Sequence, residues 1–590
     1  MYKLATQLIC FLFLPLFLPA QQFILAASDV NKGTSDSRSV NFMDLNNDGW
    51  IDLFVSNGPE GGQKDFIYLN NGEGVLKSIL LEDITLAELP SDGASFADYN
   101  NDGLLDAAVS SWYGAPDLIY LNDDNGKLVR QDNQAIGIAS GSYGETATFG
   151  DYDGDGLLDL YITNNLSSGR NYLYRNLGNG KFEWIENHIL TSKTKPSRGA
   201  LWLDYNNDGH TDLFVANEGD NSNDLFIGKG NGEFESLNRG SIAVRGVPSM
   251  TSSWGDIDND GDFDAFIGNS GFFTGEANQL YKNFGGSFGE QKDDPVAAST
   301  GCTFGSAFGD YDNDGDLDLV VSNGFCNTNM QNQLFENQGD GTFKEVSELL
   351  PLNGNTCSFG IAWGDINNDG ALDLVVANCK NDKTDSEKAN LLIMNQGNDN
   401  NWIELTLKGT TSNKGAIGTK IRAKASIDGK TVWQLREIRS QSGYAGQNSS
   451  VVHFGLKNAS KADSIIVIWP SGLVEVFLDV EANQRIFKEE GVATRISNLT
   501  TKLNWVLSPN PLKQETSLLS IQINSKKAYP NANLTILNAL GQKVAQRKMK
   551  IQIGYQIKDI PLAEMNLKKG AHFLVIQTTT GCISQKIIVQ

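Results

Sequence analysis

Residues 151 to 164 read DYDGDGLLDLYITN, a loop dense in acids running straight into an apolar run. The loop pattern D-x-[ND]-x-D-G-x-x-D occurs seven times, as DLNNDGWID from Asp44, DYNNDGLLD from Asp98, DYDGDGLLD from Asp151, DYNNDGHTD from Asp204, DIDNDGDFD from Asp256, DYDNDGDLD from Asp310 and DINNDGALD from Asp365. Successive starts lie 54, 53, 53, 52, 54 and 55 residues apart, a period that marks a repeat architecture. Before each loop comes a short apolar stretch such as SSWGD or IAWGD, and after it a run such as LFVSN, LYITN or LVVSN. Both read as buried strands flanking a tight loop. A hairpin follows, as in NYLYRNLGNGKFEW from Asn171, DLFIGKGNGEFES from Asp224 and NQLFENQGDGTFKE from Asn332, with N-G or D-G at the turn.

Four strands per repeat and seven repeats predict an all-β fold whose main body is a seven-bladed β-propeller, since radial closure protects the sheet edges. The last repeat ends its hairpin at NLLIMNQG (390 to 397) without the usual G-x-F strand, whereas QFILAAS stands directly before the first loop. The N-terminal strand is therefore expected to complete the seventh blade.

Oxygen donors at positions 1, 3 and 5, a Gly at 6 for the sharp turn, a backbone carbonyl at 7 and Asp at 9 surround one hard cation, as in the opening of an EF-hand loop. The expected ligands are Asp44, Asn46, Asp48, Trp50 (carbonyl) and Asp52; Asp98, Asn100, Asp102, Leu104 and Asp106; Asp151, Asp153, Asp155, Leu157 and Asp159; Asp204, Asn206, Asp208, His210 and Asp212. The later loops offer Asp256, Asp258, Asp260, Asp262 and Asp264; Asp310, Asp312, Asp314, Asp316 and Asp318; Asp365, Asn367, Asp369, Ala371 and Asp373. Ca²⁺ is the natural occupant, about seven ions in all. The missing Glu at position 12 and the flanking strands argue against an EF-hand itself. Without a cation, carboxylates gathered as in Asp151, Asp153, Asp155 and Asp159 would repel strongly.

The 590 residues carry 47 Lys+Arg against 71 Asp+Glu, a formal charge of -24, which disfavours a nucleic-acid partner. Seven divalent ions would offset much of that charge. With 40% hydrophobic residues the chain can bury cores, its length suggests three or four domains, and 61 glycines against 14 prolines favour tight turns. Lys3, the apolar run Leu8 to Leu18 and Ala20 predict a signal peptide over residues 1–20, with Leu25-Ala26-Ala27 a second cleavage site and a membrane anchor the alternative. No later segment is apolar enough to span a bilayer. Cys302 and Cys326, and Cys357 and Cys379, are separated by 24 and 22 residues, which in an exported chain predicts two local disulfides. In both repeats one Cys lies eight residues before the loop's first Asp, and Cys582 is left over.

The loops resemble the FG-GAP and VCBS repeats of integrin α-subunit propellers and of many bacterial surface proteins, from about Phe23 to Gly397. Departures are mild: Met43, Ala97 and Leu203 replace the Gly before the loop, and Trp50 and His210 are bulky where only a carbonyl is needed. The resemblance implies Ca²⁺ loops that hold blades together and ligands bound on a propeller face, through loops the motif does not identify. After Asn400 the period stops. Gly415-Ala416-Ile417-Gly418, His453-Phe454-Gly455-Leu456 and Trp469-Pro470-Ser471-Gly472 resemble the ASPIC/UnbV domain that follows such repeats in cartilage acidic protein-like chains. His453, lone within an apolar strand, reads as a packed core histidine. Ser508-Pro509-Asn510-Pro511, LTILNALGQKVA from Leu534, LKKGAHFLVIQTTTG from Leu567 and the ending SQKIIVQ resemble a type IX secretion sorting domain of Bacteroidetes, with His572 where an aromatic is common.

The expected organisation is thus a signal peptide (1–20), a propeller (21–400), a small β domain (401–490), a linker (491–507) and a C-terminal Ig-like β-sandwich (508–590). The four histidines, His188, His210, His453 and His572, are scattered, and no H-E-x-x-H, G-x-S-x-G or phosphate-cradling loop is present. Sequence favours an exported propeller, secreted or on the outer-membrane surface of a Gram-negative bacterium, that binds extracellular glycan or protein. A calcium-dependent polysaccharide lyase or glycoside hydrolase is the alternative, and a structural spacer a third. The type IX secretion machinery is the other expected partner.

Overall fold

The computed structural model describes residues 22–492 and 503–589, apart from 81–82, 124–126, 132–134, 138–142, 167–168, 238–240, 245, 328–329, 352–355, 381–387, 509–517, 526–527, 539–542, 562–566, 568–569 and 579–580. The expected signal peptide, the Pro509-Asn510-Pro511 start and the Gly541-Gln542 and Lys568-Lys569 turns lie outside the described residues. Among those described, seven sheets are built on one plan, with the strand before each acidic loop innermost and the strand after it second. The inner strands are Ser37–Met43, Ser91–Ala97, Gly144–Gly150, Ser197–Leu203, Ser249–Gly255, Thr303–Gly309 and Ser358–Gly364, each buried along all seven residues. Each touches the inner strand of the next sheet, and Ser358–Gly364 returns to Ser37–Met43, so the ring closes.

The residue types follow from this crowding. Serine, glycine and alanine dominate near the axis, whereas the sixth inner-strand residue is always Phe or Trp and wedges against the neighbouring sheet, as where Tyr161 meets Trp202 at 5.9 Å. The Gly before the loop clears room for that ring: a Cβ on Gly150 would lie 2.6 Å from Trp202, and one on Gly309 2.7 Å from Trp363. Where Met43, Ala97 or Leu203 stands instead, the side chain joins the core cluster of the following aromatic ring, Phe96, Phe149 or Trp254.

The seventh sheet is completed by the N-terminal strand Phe23–Leu25, antiparallel to Leu391–Asn395 with Phe23 opposite Asn395. The expected disulfides are the ones formed, Cys302 to Cys326 and Cys357 to Cys379. On the loop-entropy account each contributes about 3 kcal/mol.

Beyond the propeller, two sheets, one of Asn401–Lys408, Val452–Lys457 and Gln484–Glu489 and one of Lys420–Ile427, Lys430–Glu437, Lys461–Ile468 and Val474–Glu481, enclose a shared core around Ile421, Phe454 and Trp469. At the C-terminus a three-stranded and a four-stranded sheet pack on Leu519, Ile521, Ile536 and Ile576, a second two-sheet sandwich. No helix among the described residues is long and apolar enough to cross a membrane.

Candidate metal loops and the two faces of the propeller

Each acidic loop is shaped by its own carboxylates. The position-1 Asp accepts the position-6 glycine N–H in all seven, from Gly49 to Asp44 at 2.9 Å through Gly370 to Asp365 at 2.9 Å. The position-5 Asp accepts the position-7 N–H, as from Trp50 to Asp48 and from His210 to Asp208, both at 2.9 Å. Position 4 lies in the left-handed region throughout, from φ 57° at Asn47 to φ 76° at Gly154, which accounts for Asn or Gly there. The position-9 Asp accepts a backbone N–H from the third strand in every sheet, at 2.8 Å from Asn70 to Asp52 and 2.9 Å from Asn337 to Asp318.

This donor set suits a divalent cation. Asp151, Asp153 and Asp159, Asp256, Asp258 and Asp260, and Asp310, Asp312 and Asp318 each bring ligand atoms within 4.8 Å of one another. Asp256 Oδ1 and Asp258 Oδ1 are buried without a hydrogen-bond partner among the described residues. Burial, with like charges adding to it, pushes the carboxyls up: Asp52 to about 7, Asp106, Asp212 and Asp256 to about 8, and Asp159, Asp264, Asp318 and Asp373 well above the ordinary range. Ionised acids so placed need a positive partner, and a cation within the loop would supply it.

Sequence reasoning missed a second device beside the loops. The third strand ends in Asn in six sheets, and that side chain ties two loops together. Asn337 Nδ2 donates to Leu317 O of its own loop at 3.1 Å and to Ile257 O of the preceding sheet's loop at 2.7 Å. Asn70, Asn122, Asn176, Asn283 and Asn395 repeat the pattern around the ring. The fourth sheet has Gly228 instead, where a Cβ would lie 2.2 Å from Thr211 O. Replacing Asn337 with Ala orphans two buried carbonyls and is expected to cost about 2–4 kcal/mol in denaturant unfolding. A loss under 1 kcal/mol would mean that the bridge is dispensable.

The loop-bearing face is covered by the second domain. Lys414 N–H donates to Asn101 Oδ1 at 3.0 Å, Lys420 Nζ lies 2.8 Å from Asp204 Oδ2, and Arg422 donates to Gly261 O at 2.9 Å. Gly455 N–H reaches Asp310 Oδ2 at 3.0 Å, and Arg485 reaches Asn368 and Asp365. Five of the seven loops are thereby engaged. His453 is buried as expected, but not in apolar packing: its Nε2 lies 2.6 Å from Asn313 Oδ1 and its Nδ1 3.3 Å from Glu404 Oε1, so it joins the second domain to the sixth loop. Beside it a cavity of about 140 Å³, lined by Asp310, Glu404, Arg436 and Trp363 among others, lies along the seam.

From this domain residues 440–448, SQSGYAGQN, enter the central channel. Gln441 Nε2 donates to Ala94 O and Ala147 O at 2.6 and 2.9 Å, Tyr444 N–H to Thr251 Oγ1 at 2.8 Å, and Ser253 Oγ to Ser442 O at 2.9 Å. Val40 N–H donates to Ala445 O at 3.1 Å, Gly446–Gln447 pairs in parallel with Val40 and Asn41, and Asn448 contacts Trp363 and Phe308. The plug thus bonds to six of the seven inner strands.

At its tip the Tyr444 hydroxyl lies 2.9 Å from Asp92 Oδ1 and 2.5 Å from Glu145 Oε2. These acids belong to an unanticipated ring. The second residue of each inner strand, six before each loop's first Asp, is Arg38, Asp92, Glu145, Arg198, Met250, Phe304 or Phe359 in turn. The ring is charged in sheets one to four and apolar in sheets five to seven. Arg198 pairs with Glu145 and with Glu218 at 2.8 Å, and lies 5.4 Å above Trp112 and 5.2 Å above Phe272. Arg38 Nη2 bonds Asp36 at 3.1 Å, and its guanidinium lies 4.5 Å above Phe359. Burial and the Glu145 charge push Asp92 up to about 8.

Comparisons with known proteins agree with this architecture. The chain carries FG-GAP-like repeats, matched over residues 44–109, 98–162, 151–215, 204–267 and 324–376, an ASPIC and UnbV domain over 409–495, and a secretion system C-terminal sorting domain over 507–590. The sorting domain marks it for secretion or for the outer-membrane surface in Bacteroidetes. It is homologous to cartilage acidic protein 1: the human protein is 24% identical over 507 residues, spanning 78% of this chain and 72% of that one. The mouse protein is 26% identical over 370 residues, 58% of this chain and 53% of that one. Among solved structures, an Agrocybe aegerita lectin described as recognising non-reducing terminal N-acetylglucosamine aligns at TM-score 0.39 and 18% identity, covering 53% of this chain and 79% of the lectin.

Proposed function

We propose that this chain is a Ca²⁺-held binding propeller that works outside the cell and takes an extracellular glycan or protein on the face opposite its acidic loops. The loops would each hold one Ca²⁺ through positions 1, 3, 5, 7 and 9, about seven ions, and the bound ions neutralise carboxylates that otherwise repel. The observation that carries the reading is the contrast between the faces. The loop face is covered by the second domain, whereas the other exposes Tyr113 (42%) and Phe273 (48%) on backbone at φ 53° and 65°. Bulky residues seldom adopt such φ, and strained positions gather at binding sites. Probing a glycan and surface-protein array with the purified chain tests this, and an array without a single ligand would sink it.

A lyase or hydrolase is the second reading, favoured by one observation, the buried carboxylate pair Asp92 and Glu145 sharing the Tyr444 hydroxyl. Incubation with a polysaccharide panel separates the two. New reducing or unsaturated ends indicate an enzyme, and retention without cleavage a binder.

The same proposal divides the chain into a signal peptide (1–20), propeller (21–400), second domain (401–490), linker (491–507) and sorting domain (508–590), with the last an address alone. A chain ending at Lys502, made with a generic export signal, is then expected to bind as well as full length yet stay in the periplasm of a host using the type IX route. Surface display of the short chain, or its failure to bind, would contradict this.

A further inference from the structure

We infer that the side chains around the Tyr444 tip form one site for a neutral sugar ring, built by both domains. This rests on the binding reading above and names its place and ligand class. All seven inner strands place a buried side chain around the Tyr444 tip, charged along one arc and apolar along the other, and the exposed rings of Tyr113 and Phe273 lie on the same face. A face of this two-sided chemistry suits a ligand that is apolar on one side and hydroxylated on its edge.

Aromatic residues border both arcs, Trp112, Tyr113 and Tyr143 on the charged side and Phe272, Phe273 and Phe325 on the apolar side, with Arg198 between Trp112 and Phe272. Trp112 lies 5.5 Å from Tyr113 and 5.1 Å from Tyr143, and Phe304 lies 5.7 Å from Phe272 and 5.8 Å from Phe325. Tyr113, Phe272, Phe273 and Phe325 all take positive φ, at 53°, 43°, 65° and 54°. Four aromatic residues held against local preference on one face constitute a pre-set platform, and Cys326, bridged to Cys302, anchors the residue next to Phe325. Aromatic faces take the apolar side of a flat ligand.

The polar arc sets the edge chemistry. Arg38 is 8% exposed, and its Nη1 is buried without a hydrogen-bond partner among the described residues, a donor waiting for an acceptor. Trp112 Nε1 is a second such donor. Asp92, beside the Tyr444 hydroxyl, supplies a partner for a ligand hydroxyl, while Glu145 is fully buried and held by Arg198 and Tyr444. An anionic ligand is disfavoured because both guanidiniums already face carboxylates: Arg38 meets Asp36, and Arg198 meets Glu145 and Glu218. A few convergent polar groups within an aromatic rim are how small-molecule sites fix orientation.

The test titrates the full chain, with Ca²⁺ present, against the methyl glycosides of glucose, galactose, mannose and N-acetylglucosamine, cellohexaose, and as anionic controls trigalacturonate and a heparin hexasaccharide. Calorimetry and tryptophan fluorescence are the readouts. At least one neutral sugar is expected to bind, with affinity lowered tenfold or more by Tyr113→Ala, whose exposed side chain leaves the melting temperature unchanged, and by Tyr444→Phe. Neutral-sugar binding untouched by Tyr113→Ala would place the site elsewhere and overturn the inference while the binding function stands. Binding of only the anionic probes or only a protein, lost in Tyr113→Ala, would overturn the ligand class. Absence of any ligand, glycan or protein, would overturn the proposed function along with it.

Discussion

Stripping divalent cations from the purified chain is expected to lower its melting temperature by roughly 10 °C or more. Extracellular Ca²⁺ sites bind with dissociation constants of about 10⁻⁴ to 10⁻³ M, so at ~1 mM ion and a ~0.1 mM constant each site contributes about 1.4 kcal/mol. Seven such sites approach ~10 kcal/mol, which is the whole stability of an ordinary domain. At about 2.1 cal/mol/K of unfolding entropy per residue, a propeller of this size loses roughly 1 °C per kcal/mol. The pH dependence should also reverse. In the stripped chain the position-9 carboxyls are raised to about 7 at Asp52 and about 8 at Asp106 and Asp212, so the folded state holds protons that the unfolded state releases. Their contribution is present near pH 4 and is lost as pH rises toward 8, so the stripped chain becomes less stable over that range. With Ca²⁺ bound, protons compete with the ion and stability rises with pH instead. Scanning calorimetry with and without chelator from pH 5 to 8 measures both, and an unchanged melting temperature would end the idea that these loops are metal sites.

Gly360→Ala is expected to unseat the plug. A Cβ at Gly360 would lie 2.1 Å from Ala445 O and 2.8 Å from Arg38 O, both backbone atoms that cannot turn aside. Overpacking of this kind costs about 1–3 kcal/mol on its own. Here it also breaks a plug that bonds to six inner strands, so a loss of about 3 kcal/mol or more is expected. The melt should also split as the second domain unfolds apart from the propeller. A single transition at the original temperature would show that the channel has room to spare.

Much of this was legible in the sequence because each acidic loop marks a fixed corner between an inner and a second strand. Seven loops therefore meant seven sheets, and the missing outer strand after Gly397 together with Phe23–Leu25 meant closure by the N-terminus. The disulfide partners were legible because Cys302 and Cys357 hold equivalent places in their repeats. The bridging asparagines stood in plain sight at Asn176 and Asn337, but beside an N-G or D-G turn an Asn reads as part of the turn. The ring from Arg38 to Phe359 was hidden for another reason: its members share a position and no chemistry, and they acquire meaning only where seven strands converge on an axis. SGYAGQN (442–448) has the composition of any glycine-rich turn, and nothing local shows that its glycines are cut to fit the backbone of another domain. His453 failed likewise, its polar partner Asn313 lying 140 residues away.

Closure by Phe23–Leu25 also sets a timetable. The paired residues Phe23 and Asn395 are 372 positions apart (395 − 23), so the first strand has no partner until nearly the whole propeller has left the ribosome. At about 5–20 residues per second that is roughly 20–75 s of synthesis during which Phe23–Leu25 waits without its partner strand. Contacts of such long range are the slowest to form. The ring is therefore an arc until Asn395 has been made, with the hydrogen-bonding edge of Phe23–Leu25 left open until Leu391–Asn395 emerges. A bound chaperone, or a membrane crossed before the last strand is released, would hold it in that state, and the lock turns only when both ends of the propeller are in one compartment.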